Sequence, residues 1–245
     1  MLTVRFIGTG DAFGSGGRFQ TCILLDAGGV RCAIDFGASS LIALEQQGIA
    51  HNSIDIVVLT HLHGDHCGGV PFMLLDAMLG SRRQSSLTIA GPPDVERRLH
   101  SIGEALFPGM GTMTPRFPIA YVELPMGAAV DVRGLSVTAR PARHTASTLP
   151  TSVRIEVAGQ VVAYTGDGEF TEDLALTGRN ADIFICEAYF FDKPVKWHLN
   201  YPAIRDHIGQ IGAKRIVLTH MSAEMLAHAD DVPEVCAYDG MVITI

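Results

Sequence analysis

A chain of 245 residues, 47% of them hydrophobic and 18% charged, can bury a substantial core and lies outside the composition of disordered segments, so it reads as one globular domain over residues 1–245. Its formal charge of −8 excludes a basic stripe for gripping polyanions, and an anionic substrate has to be attracted locally. No apolar run reaches the roughly 18 residues needed to cross a bilayer, and no membrane partner is expected.

In chain order, short β-rich runs at Val4–Ile7, Cys22–Leu25 and Arg31–Ile34, separated by glycine turns, predict an antiparallel opening sheet. Ser39–Gln47 carries Leu41, Ile42 and Leu44 on one side and stops at Gly48, which predicts a short amphipathic helix. Ile54–Leu59 is almost continuously apolar, as expected of a strand covered on both faces, and it empties into the polar segment Thr60–His66. The Gly/Pro/Met stretch from Phe107 to Pro118 reads as an irregular loop. Further strands are predicted at Leu135–Ala139, Ser152–Val157, Val161–Tyr164, Ile183–Cys186 and Ile216–Leu218. This order of sheet, helix, sheet, helix suits two face-to-face sheets, with the helices before Gly48 and after Tyr201 on opposite outer faces.

The five cysteines, Cys22, Cys32, Cys67, Cys186 and Cys236, are odd in number and lack Cys-x-x-Cys spacing. Neither a disulfide framework nor a structural zinc knuckle is indicated. Together with a start that runs from Met1 straight into a strand, without the pattern of a signal peptide, they point to a cytoplasmic protein.

Chemistry concentrates in Thr60-His-Leu-His-Gly-Asp-His66, where His61, His63, Asp65 and His66 stand within six residues directly after a buried strand. Four potential ligands at that density point to a metal, because the fixed strand end lets their side chains converge. Three more candidates sit at the ends of β-rich runs: His144, Asp167 in Tyr-Thr-Gly-Asp, and His220 in Ile-Val-Leu-Thr-His. The glycine before Asp167 permits a tight turn that frees the carboxylate to bridge two cations. Nitrogen and oxygen donors suit zinc first, with manganese and iron as alternatives. Cys67 follows His66 but is expected to begin the covering helix rather than to bind metal. His51, His100, His207 and His228 belong to no cluster and are expected to face solvent.

The run His61–His66 matches the His-x-His-x-Asp-His motif of the metallo-β-lactamase superfamily at every defining position. The chain resembles that superfamily, which implies an α/β, four-layer αββα sandwich of two mixed β-sheets with helices outside. The resemblance implies two divalent metal ions, one held by His61, His63 and His144, the other by Asp65, His66 and His220, with Asp167 between them and a bridging hydroxide as the nucleophile. Phe6-Ile-Gly-Thr-Gly10 with Arg18, Arg154-Ile-Glu, Tyr164-Thr-Gly-Asp, Cys186-Glu-Ala and Leu218-Thr-His-Met-Ser222 are similar to the ribonuclease Z and phosphodiesterase branch. In that branch a glutamate and a histidine form a proton-donating pair, which implies Glu187 and His198 here. With Asp65 they make up the expected catalytic set. Arg18 is a candidate for substrate phosphate, with an ordinary surface arginine as the alternative. Trp197, beside His198, is either packing or a lid on which a base stacks.

Two departures from the branch affect the substrate. Cys186 replaces its histidine before the glutamate, and His198-Leu-Asn replaces a histidine followed by small hydroxyl residues. More consequential, bacterial ribonuclease Z carries a long basic arm where this chain has a tight turn around Gly159, so structured tRNA is not expected as a substrate. The leading expectation is a two-metal phosphodiesterase for small or flexible phosphodiesters. A lactonase or thioesterase acting on carboxylic esters is the alternative enzyme, and a non-catalytic metal-binding scaffold is the alternative from another class. A homodimer is expected by family, through Phe72–Leu79 or Met110–Met113.

Overall fold

The computed structural model describes residues 1–245. One seven-stranded sheet holds β1 (Thr3–Gly8), β2 (Cys22–Ala27), β3 (Val30–Ile34), β4 (Ile56–Val58), β5 (Leu87–Gly91) and β6 (Ile119–Glu123), with β14 (Val242–Thr244) on its edge beside β1. The other holds β7 (Ala129–Val132), β8 (Leu135–Pro141), β9 (Thr151–Val157), β10 (Gln160–Tyr164), β11 (Ile183–Glu187), β12 (Ile216–Thr219) and β13 (Val235–Cys236) in that spatial order. Both are mixed. Pairing is antiparallel from β14 through β1 and β2 to β3 and parallel from there to β6. In the second sheet it is antiparallel from β7 to β10 and parallel from β10 to β13.

Apolar residues on both faces of the central strands force a layered structure. Ile56 and Val58 enter the layer between the sheets with Phe6, Ile23, Val137, Ile155 and Ile185, while Val57 and Leu59 face the other way. Their outer face is covered by α1 (Ser40–Gln46), α3 (Val70–Leu79) and α4 (Val95–Leu106), through Leu44, Met73 and Leu99 among others. The short α2 (Gly64–Cys67) precedes α3. The second sheet's outer face is covered by α5 (Glu172–Gly178), α6 (Tyr201–Arg205), α7 (Ile208–Ile211) and α8 (Ala223–Ala227), through Leu174, Ile204, Ile211 and Met225. The result is the expected αββα sandwich, with α1 and α6 on opposite outer faces.

Local differences have physical causes. The run Ile54–Leu59 is buried except at Asp55, but its paired part is only Ile56–Val58, since the flanking residues turn into and out of the sheet. Strands β5, β6, β7, β13 and β14 were not among the predicted elements; β6 is half-exposed and mixed in sequence, and β7, β13 and β14 are only two to four residues long. Cys67 closes α2 rather than opening a helix, and it is buried. His51 is also buried rather than solvent-facing, because Asp76 of α3 reaches its Nε2 at 2.9 Å. His207 and His228 are half-buried against the rings of Phe170 and Phe191, and only His100 stands exposed as expected. Between β9 and β10 the chain reverses in two residues, Ala158 (φ +52°) and Gly159 (φ +76°), as a two-residue hairpin turn with both central residues left-handed requires.

Candidate metal centre and active site

Each candidate follows the carboxyl end of a strand. His61, His63, Asp65 and His66 follow β4, His144 follows β8, Asp167 follows β10, and His220 follows β12, while Glu187 is the last residue of β11. Strands β8, β10, β11 and β12 share one direction, so their ends open at one rim, where the crevices of α/β sheets lie, and the end of β4 meets that rim where Thr151 N–H donates to the Thr60 carbonyl at 3.0 Å. The turn at Asp167 needs its glycine. Gly166 has φ +58°, and a Cβ there would lie 2.6 Å from the Thr151 carbonyl oxygen. α2 lies against the segment after β3 with no room for a side chain, since a Cβ on Gly37 would stand 2.3 Å from the Asp65 carbonyl oxygen.

The side chains form two adjoining groups. In the first, His63 Nδ1 lies 3.1 Å from both His61 Nε2 and His144 Nε2. In the second, His66 Nε2 is 3.4 Å from Asp65 Oδ2 and 3.2 Å from Asp167 Oδ1, and His220 Nε2 is 3.3 Å from Asp65 Oδ2. Asp167 joins them, because its Oδ2 is 3.6 Å from His220 Nε2 and 4.0 Å from His61 Nε2. Tetrahedral zinc with nitrogen ligands at about 2.0 Å separates neighbouring donors by about 3.3 Å, so these spacings are those of donors around a cation.

The polar bookkeeping fits two divalent cations as well. His66 Nε2 and Asp167 Oδ1 are buried and, though close, make no hydrogen bond of acceptable geometry. Buried polar atoms left without partners call for a missing one. Three of the far ring nitrogens are engaged: His66 Nδ1 meets Asp35 Oδ2 at 2.6 Å, His61 Nδ1 meets Thr60 Oγ1 at 3.1 Å, and His144 Nδ1 donates to the Trp197 carbonyl at 2.6 Å, while His220 Nδ1 is buried without a hydrogen bond. Such partners fix the tautomer that presents the other nitrogen to a metal. The charges are frustrated without cations. Burial, with His66 beside it, drives the His61 imidazole well below its ordinary pKa. Burial would lower His66 too, but Asp167, Asp65 and Asp35 pull it well above.

Beside the second group, Glu187 is fully buried and bonds His198 Nδ1 through Oε1. Its Oε2 accepts from the backbone N–H groups of Gly168 at 3.0 Å and Leu199 at 3.2 Å. Burial and the neighbouring Asp167 push the Glu187 carboxyl upward. Burial alone would lower the His198 pKa, but the Glu187 hydrogen bond and charge and the Asp167 charge raise it overall. Tyr189 stacks on its ring at 4.8 Å. With Nδ1 taken, Nε2 is the nitrogen available to a substrate. His63, His144, Asp167, His198 and His220 share one cavity of about 310 Å³.

Arg18 is not brought to this cavity. Its Nη1 donates to the Ala237 carbonyl at 2.5 Å, tying the glycine loop to the end of the chain. The Trp197 ring is half-exposed under the Lys196 ammonium; what reaches the site is its backbone carbonyl, at a left-handed residue of φ +69°. Asp35 was missed by the sequence reading. It is fully buried with φ +58° and accepts from Thr60 N–H at 2.7 Å and Thr60 Oγ1 at 2.8 Å besides its contact with His66. A carboxylate at the end of an apolar strand, in Ala33-Ile34-Asp35-Phe36-Gly37, was the available signal.

Two facing mixed sheets with a histidine and aspartate cluster at one rim define a ribonuclease Z-like protein of the metallo-β-lactamase fold. A family model described as Anti-Pycsar protein Apyc1 matches residues 2–235, and the chain belongs to that family. It is similar to the ribonuclease Z of Agathobacter rectalis, 25% identical over 289 aligned positions that cover 96% of this chain and 92% of the relative. Among solved structures, the short form of human tRNase Z superposes with a TM-score of 0.79 at 24% identity, covering 99% of both chains. A diphosphatase of the PhnP family superposes with a TM-score of 0.80 at 18% identity, covering 100% of this chain and 98% of that one. No helix is long and apolar enough to cross a membrane.

Proposed function

We propose that the chain is a two-metal phosphodiesterase acting on small or flexible phosphodiesters, such as cyclic nucleotides or short nucleic-acid ends, and that residues 1–245 work as one domain. In this reading His61, His63 and His144 hold one divalent ion, Asp65, His66 and His220 the other, and Asp167 both. Zinc suits a set of five nitrogen donors and two carboxylates best, with manganese or iron able to replace it. Such ions supply an activated water nucleophile and neutralise charge developing on the phosphoryl oxygens.

The observation that carries the reading is the bond between Glu187 and His198 beside the two donor groups. Cleaving a phosphodiester expels an alkoxide, which needs a proton. Glu187 orients the His198 ring and favours its charged form, so Nε2–H is presented to the leaving oxygen. Two backbone N–H groups on the other carboxylate oxygen fix Glu187 in turn. Asp65 serves as ligand and as the anchor of His220. Carboxylic esters depend less on such an acid. The relative and the solved neighbour named above as ribonuclease Z and tRNase Z support phosphodiester chemistry.

Structured tRNA is not the proposed substrate. The two-residue turn at Ala158–Gly159 leaves no arm between β9 and β10, and the chain's charge of −8 offers no long-range attraction to a polyanion. The half-exposed apolar side chains of Phe72, Leu79 and Leu106 offer a second copy of the chain a docking face. All five cysteines are free, as in a cytoplasmic protein.

The test is hydrolysis of bis-p-nitrophenyl phosphate beside a chromogenic carboxylic ester and a lactone, by metal-quantified wild type and His198→Ala. The expected outcome is phosphodiester turnover that falls about 10²- to 10⁴-fold in the variant while both metals are retained. Ester or lactone turnover alone, indifferent to His198, would move the assignment to a lactonase or thioesterase. Two bound metals with no turnover of any kind would leave a metal-binding scaffold.

A further inference from the structure

Arg18 leaves the glycine loop with no charged side chain at the cavity, yet the same loop places an aromatic ring there. Phe13 is 82% exposed, the most solvent-exposed aromatic residue of the chain, and it lines the cavity that holds His63, His144 and His198. A large apolar side chain standing in water beside a polar centre contributes nothing to the core, since the hydrophobic effect opposes its exposure.

The loop holds that ring on purpose-built supports. Asp11 is almost fully buried, and its carboxylate accepts from Phe13 N–H at 3.1 Å, Ser15 N–H at 2.9 Å and Ser15 Oγ at 2.7 Å. Gly14, Gly16 and Gly17 all have positive φ, and Gly16 lies so close to α8 that an added Cβ would stand 2.8 Å from Leu226 Cδ1. Arg18 ties the far end to the Ala237 carbonyl. A buried carboxylate with three hydrogen bonds, a helix underneath and a guanidinium strap fix the backbone from which an otherwise unpacked ring projects.

We propose that Phe13 is a stacking platform for a planar ring carried by the substrate, placed on the cavity rim while the diester lies toward His198 and the two donor groups. This rests on the phosphodiesterase reading above and adds to it a binding subsite and its residue. Aromatic stacking tolerates different bases, because every base offers a π-face. The platform therefore selects for a base-bearing diester over a bare one without choosing among bases, and Asp11 acts as a positioning residue through the loop.

The experiment compares kcat/KM for p-nitrophenyl thymidine 5′-phosphate and methyl p-nitrophenyl phosphate, which share the leaving group and differ in the base. Wild type is expected to prefer the base-bearing substrate. Phe13→Ala is expected to lower that preference about fivefold or more, mainly through KM, and Phe13→Trp to restore it. An unchanged preference in Phe13→Ala, or one that Phe13→Trp fails to restore, overturns the platform. If wild type cleaves neither diester, the phosphodiesterase reading fails, and thymidine 5′-monophosphate titrated calorimetrically into wild type and Phe13→Ala decides the subsite separately. Binding weakened about fivefold or more in the variant keeps it, and equal affinity removes it.

Discussion

His61, His63 and His144 bring three imidazoles and no formal charge to one side of Asp167, backed only by the Thr60 hydroxyl and the Trp197 carbonyl. On the other side Asp65, His66 and His220 include a carboxylate, and His66 is backed by a second, fully buried one at Asp35. Burial differs in the same sense. His63 is half-buried and open to the cavity, whereas every donor of the second group is buried. A divalent ion is held by charge as well as by ligand count, so in the proposed centre the two sites are unequal: one tighter, with a carboxylate of its own, the other looser, with only the shared one.

The largest effect comes from the residue that removes the comparison altogether. Asp167 is within 4.0 Å of a donor nitrogen in both groups, so Asp167→Ala strips both sites of their shared carboxylate. Metal content is expected to fall below one ion per chain, and turnover by more than the roughly 10²- to 10⁴-fold that a lost general acid costs. A variant that keeps two ions at wild-type affinity would show that Asp167 does not bridge. Asp35→Asn comes next and should act on one side only. The amide cannot accept from His66 Nδ1–H and from Thr60 on both of its arms, so the second site is expected to lose about 10- to 100-fold in metal affinity, as measured by competition with a chelating dye. Equal weakening of both sites would break the proposed asymmetry.

What the sequence made legible follows the same division. His61, His63, Asp65 and His66 lie within six residues, and a local motif needs no knowledge of the fold. His144, Asp167 and His220 were readable because each ends a β-rich run, and the layered fold was readable because Ile54–Leu59 is apolar on both faces. Asp35 was harder to read, since its partners are Thr60 and His66, 25 and 31 residues away, and its place at the end of an apolar strand is the one local signal it carries. Arg18 shows the opposite error. Closeness in sequence to the glycine loop made it a phosphate candidate, but its guanidinium found the Ala237 carbonyl, 219 residues on. Phe13, beside it in the same loop, looks like an ordinary apolar residue until its exposure is known.

The smallest effect is one of order rather than amount. If the second site is the tighter, a chelator added to the two-metal protein meets two barriers. Around His63 the cavity admits a competing ligand, and no carboxylate other than the shared Asp167 retains the ion. At the other site Asp65 and His220 also line the cavity, but the competitor must displace two carboxylates and a His66 backed by Asp35. Metal loss is therefore expected in two phases of about one ion each, with turnover lost in the first, since removing either ion leaves an incomplete pair. Metal content and activity followed on the same aliquots check it. Turnover that survives until the second phase would mean that the ion lost first is dispensable and that one ion suffices.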